Sequence, residues 1–174
     1  PLYSSAASDV YKRQIPEHRT GEKVPVMLPA LDAVVGNPPY VRQEKIDKRE
    51  KLRLAALMDV AFRGTAFSGR ADYHCYFWPH AAKLLKEGGW FGFLTSGQWL
   101  DVDYGFALQR WMLRHFKIVA IMESSTERWF PDARVKTCIT ILRRCGDERA
   151  RMENPVRFVR FERPLADVIG VPAT

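Results

Sequence analysis

Apolar residues in this chain gather into short runs separated by charged, amphipathic stretches, and that alternation predicts an α/β fold. The run LDAVVG over Leu31–Gly36 has the length of a buried strand. It ends in Asn37–Pro38–Pro39–Tyr40, whose prolines stop further helix or ladder pairing. Residues 41–53 are charge-rich, and 52–62 suit a short helix. Tyr73, Tyr76, Phe77, Ala81, Leu84 and Leu85 recur at helical spacing, with Lys83 and Lys86 in the last turn and Gly88–Gly89 as the stop. Pro79 lies inside that pattern, so the helix must bend there or begin late. Asp72 in front of it reads as an N-cap rather than a catalytic acid.

Residues 90–95 (WFGFLT) read as a second strand. Asp103 is placed to cap a helix over 104–115 that carries Tyr104, Leu108, Trp111 and Met112 on one face. Two more strands follow at 117–122 (KIVAIM) and 137–142 (TCITIL). Strand, helix, strand, helix, strand implies a mostly parallel sheet. The last two strands, joined without an obvious helix, suit an antiparallel hairpin at the sheet edge. Outside this unit, the opening PLYSSAASDVYKRQ has no apolar period and resembles translated library-adapter sequence. Residues 15–29, with Pro16, Gly21, Pro25 and Pro29, read as loop. The expected organisation is a disordered, non-native-looking lead-in and loop over 1–30, the α/β unit over 31–144, and a linker with the start of a following region over 145–174.

Composition narrows the class. Of 174 residues 47% are hydrophobic, 27% charged and 12% aromatic, enough for one cored domain and unlike a disordered chain. No apolar run approaches the ~20 residues of a membrane span, and the N-terminus lacks a secretory pattern. The net charge of +7 suits a polyanionic partner but does not specify one. Arg42, Lys45, Lys48, Arg49, Lys51 and Arg53 alternate with Glu44, Asp47 and Glu50, which reads as a solvated helical face. The arginines from Arg143 to Arg163 read the same way, as solvated charge or as phosphate contacts without an assigned place. Cys75, Cys138 and Cys145 lack metal-ligand spacing and cannot all pair, so free thiols in a reducing compartment are expected. His74, His80 and His115 fall in helical segments without partners at ligand spacing, and no metal site is expected.

The chemistry concentrates in Asn37–Pro38–Pro39–Tyr40. In open α/β sheets ligands bind outside the carboxyl ends of strands, where this loop lies. An exocyclic amine is a poor nucleophile because its lone pair is delocalised into the ring. The Asn37 amide oxygen and the Pro38 carbonyl can accept its two hydrogens, biasing the nitrogen towards tetrahedral geometry and freeing the lone pair. Pro38 and Pro39 stiffen the backbone so that both acceptors are in place beforehand. Tyr40 offers a face for a base turned out of its duplex. The same tetrapeptide also reads as a plain rigid turn.

The segment DAVVGNPPYVRQE resembles the catalytic motif of amino-methylating DNA methyltransferases, and the wider pattern is similar to the large restriction-modification type, including the Eco57I-like enzymes. ADYHCYFWPHAAKLLKEGGWFGFLTSGQWL is similar to that family's next helix and strand, and YGFALQRWMLRHFKIVAIMES to the pair that follows. RWFPDARVKTCITILRR resembles the segment carrying a second base-stacking aromatic. The likeness runs over about residues 31–144. It implies the catalytic half of a Rossmann-like methyltransferase fold, a mixed, mostly parallel sheet flanked by helices. It further implies adenine-N6 methylation of flipped bases in double-stranded DNA from S-adenosylmethionine, in the cytoplasm of a bacterium or archaeon, within a restriction-modification or phage-defence system and beside restriction or specificity subunits or domains. Asn37, Pro38, Pro39 and Tyr40 match the catalytic motif. Phe130 matches the aromatic on the other side of the base, with Trp129 as the substitute one position away. Where the family has a proline and often an asparagine after the second strand, this chain has Ser96 and Gly97. The glycine-rich turn that would hold the donor has no counterpart before Leu31, so donor-binding residues are left unassigned and the chain is expected to be a fragment inactive alone. A protein-glutamine or RNA-guanine methyltransferase, or a non-catalytic module of a restriction complex, are the competing readings.

Overall fold

A five-stranded mixed sheet flanked by helices organises the molecule. The computed structural model describes residues 11–16, 23–62, 70–130 and 136–170. The sheet contains β3 (Leu31–Gly36), β4 (Leu85–Ser96), β5 (Phe116–Ser124), β6 (Thr137–Arg144) and β7 (Arg157–Phe161) in the order β3-β4-β6-β5-β7. Pairing is parallel for β3 with β4 and for β5 with β7, while β6 is antiparallel to both its neighbours. Every strand of this sheet except β6 therefore runs in one direction, as the α/β alternation requires.

The expected edge hairpin is corrected by that order. β6 does pair antiparallel with β5, but its other side pairs with β4 from Ser96↔Thr137 to Trp90↔Arg143, so it lies inside the sheet. Burial explains the choice: Cys138, Thr140 and Leu142 face the core, which suits a strand covered on both flanks. The edges are β3 and β7. β3 was expected to be buried, yet among the described residues it pairs only with β4, and Asp32, Ala33 and Val35 are exposed. Before it, β1 (Tyr11–Pro16) and β2 (Lys23–Leu28) form a separate antiparallel pair in a stretch that read as lead-in and loop. The proline at position 25 is compatible with an edge position in so small a sheet.

Helices cover one face. α1 (Lys48–Phe62) follows the motif loop, starting earlier than its apolar residues suggested. A 3-10 turn at Tyr73–Tyr76 leads into α2 (Phe77–Ala82), so Pro79 is met by a late start, within the first turn where its missing N–H costs nothing. α2 stops at Ala82, short of Lys83 and Lys86, because Leu85 already pairs with Leu31. Gly88 and Gly89 belong to β4 rather than to a helix stop, and a Cβ on Gly89 would come within 2.9 Å of the Lys86 carbonyl. α3 (Gly105–His115) buries Leu108, Trp111 and Met112 as its periodicity predicts. Tyr104 stands at its N-cap without a side-chain cap bond, so Asp103 is not the cap. Between sheet and helices lies an aromatic core in which Trp78 stacks on Phe91 at 5.2 Å and Phe91 meets Phe93 at 4.3 Å.

The region after β6 adds α4 (Glu148–Met152), β7 and α5 (Leu165–Ile169) to the same body. Its arginines act partly inside the fold. Arg144 donates to the carbonyls of Ala82 and Leu85 at 2.9 and 2.6 Å, and Arg151 to those of Leu113 and Cys145 at 3.2 and 2.7 Å. Among the described residues no helix is long and apolar enough to cross a membrane.

Candidate active site

β3 delivers Asn37–Pro38–Pro39–Tyr40 at its carboxyl end, at the rim where a parallel sheet places ligands. The strand can run up to the motif because Gly36 lies against Phe93: a Cβ there would sit 2.9 Å from the ring. In the motif Asn37 and Pro39 are exposed, Pro38 is buried and Tyr40 is half-buried. The Asn37 amide has no hydrogen-bond partner among the described residues. Tyr40 is fixed by its hydroxyl, which donates to the Leu94 carbonyl on β4 at 3.2 Å. Burial pushes its phenol up to about 12, so the hydroxyl stays a donor at neutral pH.

Phe130 arrives from the far side of the sheet, after β5. Glu127 anchors its segment: its carboxylate accepts from the Trp129 indole at 3.0 Å and from the Leu165 backbone N–H at 2.7 Å. Trp129 turns away to meet Phe161 at 6.2 Å. Phe130 meets Tyr40, with ring centroids 5.7 Å apart and planes inclined by 57°. The two aromatics named from sequence are therefore in contact, while Trp129 meets Phe161.

A shallow depression of about 20 Å³, room for about one water molecule, lies beside this contact, lined by Tyr40, Val41, Arg42, Asp72, His74, Ser96 and Gln98. Asn37, Pro38, Pro39 and Phe130 lie outside its wall. Asp72, read from sequence as an N-cap, does stand at the N-cap position of the turn Tyr73–Tyr76, but it is buried and its side chain makes no cap bond there. Its carboxylate accepts instead from the backbone N–H of Gln43 and from the Tyr104 hydroxyl, each at 3.1 Å. Those partners lie 29 and 32 positions away, so no local spacing pointed to them. His74 is buried. Burial holds its imidazole down at about 4, against the opposing pull of Asp72, so it is neutral at physiological pH. Ser96 accepts from the Gln98 N–H at 3.3 Å and caps the 3-10 turn Gly97–Leu100. No group of metal-ligating side chains occurs among the described residues, and Cys75, Cys138 and Cys145 are buried free thiols.

Residues 29–130 match the family described as Eco57I restriction-modification methylase. Type II methyltransferase M.XamI of Xanthomonas campestris pv. amaranthicola is 35% identical over 143 residues, covering 81% of this chain and 25% of that protein. Type II methyltransferase M.XhoI of Xanthomonas vasicola is 30% identical over 119 residues, or 66% of this chain and 20% of that one. The chain thus spans a quarter or less of these relatives' length. Among solved structures, a DrdV–DNA complex superposes with a TM-score of 0.58 at 14% identity over 76% of this chain and 15% of that one. A class I S-adenosylmethionine-dependent methyltransferase from Listeria monocytogenes, so described provisionally, gives 0.56 at 14% identity over 80% and 40%. At these identities the structures speak for the fold.

Proposed function

Because the chain belongs to the Eco57I restriction-modification methylase family, matched over residues 29–130, we propose that it supplies the base-handling part of a DNA methyltransferase acting on the N6 amine of adenine. In this reading the partner is double-stranded DNA, the donor is S-adenosylmethionine, and the setting is the cytoplasm of a restriction-modification or phage-defence host. The observation that carries it is the meeting of Tyr40 and Phe130, two aromatic faces brought together from the segments after β3 and β5 beside the strand-end motif. A flipped base needs such faces, and each stack is worth roughly 1–3 kcal/mol.

Asn37 Oδ1 and the Pro38 carbonyl accept the two amine hydrogens, which localises the lone pair on nitrogen. The exposed Asn37 amide has no competing bond among the described residues, so it is free to take up that role. The described residues do not fit the donor. A glycine cradle is needed for close backbone approach, but at the carboxyl ends of the strands Gly36 is filled by Phe93 and Gly97 faces the Lys136 carbonyl at 3.6 Å. This chain's described part therefore prepares the acceptor and leaves the donor to be held elsewhere.

The test is transfer of labelled methyl groups to unmethylated DNA by the complete gene product, with nucleoside digestion to identify the modified base. Label in N6-methyladenine is expected. Label in RNA or protein would replace this reading with one of its competitors, and label in N4-methylcytosine would overturn the choice of adenine. Asn37→Ala should lower the rate by about 100-fold or more while DNA binding is kept, the scale seen when one preorganised hydrogen-bonding group is removed. Activity within tenfold of the parent would exclude the role given to Asn37.

A further inference from the structure

A buried carboxylate is costly unless its oxygens are hydrogen-bonded, and Asp72 is only 8% exposed. Among the described residues no cation lies within ion-pair distance of it. Each oxygen instead takes one donor, the Gln43 N–H on one side and the Tyr104 O–H on the other. The next residue repeats the attachment, since the Tyr73 N–H donates to the Val41 carbonyl at 3.0 Å. Positions 41 and 43, immediately after the motif, are thus fastened to 72 and 73, while Tyr40 is fastened to β4 through its hydroxyl. The loop bearing Asn37 is held from both directions, and Asp72 is the point at which it is joined to the start of α3.

We propose that Asp72 is a positioning residue of the methyl-transfer site, its carboxylate bridging Gln43 and Tyr104 so that the Asn37–Tyr40 loop is fixed before the base arrives. The inference rests on the function proposed above. A carboxylate suits the site because two donors approach two different oxygens. An asparagine that accepts from Gln43 turns its NH2 to Tyr104, whose hydroxyl must then reverse and accept, so only neutral bonds remain. Charge assistance also makes both bonds stronger than neutral ones. The residue does not touch the amine. It acts through the loop, so its loss should appear in the chemical step rather than in the encounter with DNA.

In the complete gene product, Asp72→Asn is expected to lower kcat about 10- to 100-fold, the scale of an ångström-sized misplacement. KM for DNA and for the donor should each move less than about threefold, because uniform binding is untouched. Tyr104→Phe, a milder change that keeps the ring, should lower kcat by several-fold. Adding it to Asp72→Asn should cost little more, since the charge-assisted bond the two residues share is already lost. Amide exchange at Gln43 should quicken in Asp72→Asn at an unchanged global melting temperature. Asp72→Asn and Tyr104→Phe both within twofold of the parent would overturn the assignment, as would a fall in kcat that only tracks the folded fraction. A parent that labels no DNA would remove the methyl-transfer reading and this inference with it. An active parent with indifferent variants removes the role of Asp72 alone.

Discussion

Tyr40 and Phe130 touch at 5.7 Å with tilted planes, whereas a base sandwiched between two faces needs near-parallel rings roughly 7 Å apart, two contact layers of about 3.5 Å. Tyr40 is tied to Leu94, so Phe130 is the ring that must swing to admit a base. Phe130→Ala is therefore expected to weaken retention of the flipped base by about 5- to 150-fold, the equivalent of roughly 1–3 kcal/mol. Tyr40→Phe, which keeps the face, should cost only a few-fold. Fluorescence of 2-aminopurine at the target position measures both, and a Phe130→Ala enzyme with parental signal would show that the ring does not hold the base. His74 yields a second residue-scale prediction. Its folded pKa of about 4 lies below the unfolded 6.5, so folding favours the neutral ring. That contribution is complete above pH 6.5, shrinks as pH falls, and is lost by about pH 4, for a total of up to about 3 kcal/mol. Denaturant midpoints of the parent and His74→Gln compared between pH 7 and pH 4 should converge by that amount. Parallel curves would mean that His74 does not titrate on unfolding. Tyr40 and Asn37 could be proposed from sequence because the chemistry asked of them lies in four consecutive residues. The bridging by Asp72 could not, because it depends on Gln43 and Tyr104, which only the tertiary fold brings near.

At the scale of elements, hydrophobic period located the strands and helices of the main body but misplaced several of their ends. The α2–β4 boundary shows why. Lys83, Lys86 and Gly88 look like the close of a helix, yet pairing of Leu85 with Leu31 overrides that local signal. The arginines after β6 were likewise indistinguishable from solvated charge. Their bonds to the carbonyls of Ala82, Leu85, Leu113 and Cys145 are long-range facts. The packing of α3 was equally hidden. Gly105 lets that helix press onto the 3-10 turn Gly97–Leu100, where a Cβ would fall 1.7 Å from the Trp99 carbonyl oxygen. Gln109 seals the contact by donating to the same oxygen at 2.9 Å. Because the obstacle is backbone, Gly105→Ala should destabilise the fold by about 3 kcal/mol or more, at the upper end of overpacking costs. Gly146→Ala, where the nearest atom is a Glu87 side-chain oxygen at 3.6 Å, is the control expected to stay close to parental. Equal denaturant midpoints for the two variants would contradict the close α3 contact.

For the whole molecule, the α/β class followed from the alternation of elements, but strand order did not, because the pairing of β6 with β4 joins distant segments and leaves no local trace. That order fixes which surfaces remain open. One face of the sheet is filled by the aromatic core, while on the other Trp90 is 46% exposed, and at the β3 edge Val35 is 83% exposed. An unpaired edge with an apolar side chain invites strand addition by another copy, a hazard that proteins commonly blunt with lysine. The 174-residue chain is therefore expected to self-associate through β3 as its concentration rises. Val35→Lys should raise the monomer fraction, since the new charge would stand on the open apolar face without entering the core. Phe106→Lys, which removes a similarly apolar side chain at 61% exposure on α3, should change little because a helix offers no unpaired ladder. Light scattering over a concentration series distinguishes the two variants. If Phe106→Lys disperses the chain and Val35→Lys does not, association runs through the helical layer, and the β3 edge is not its cause.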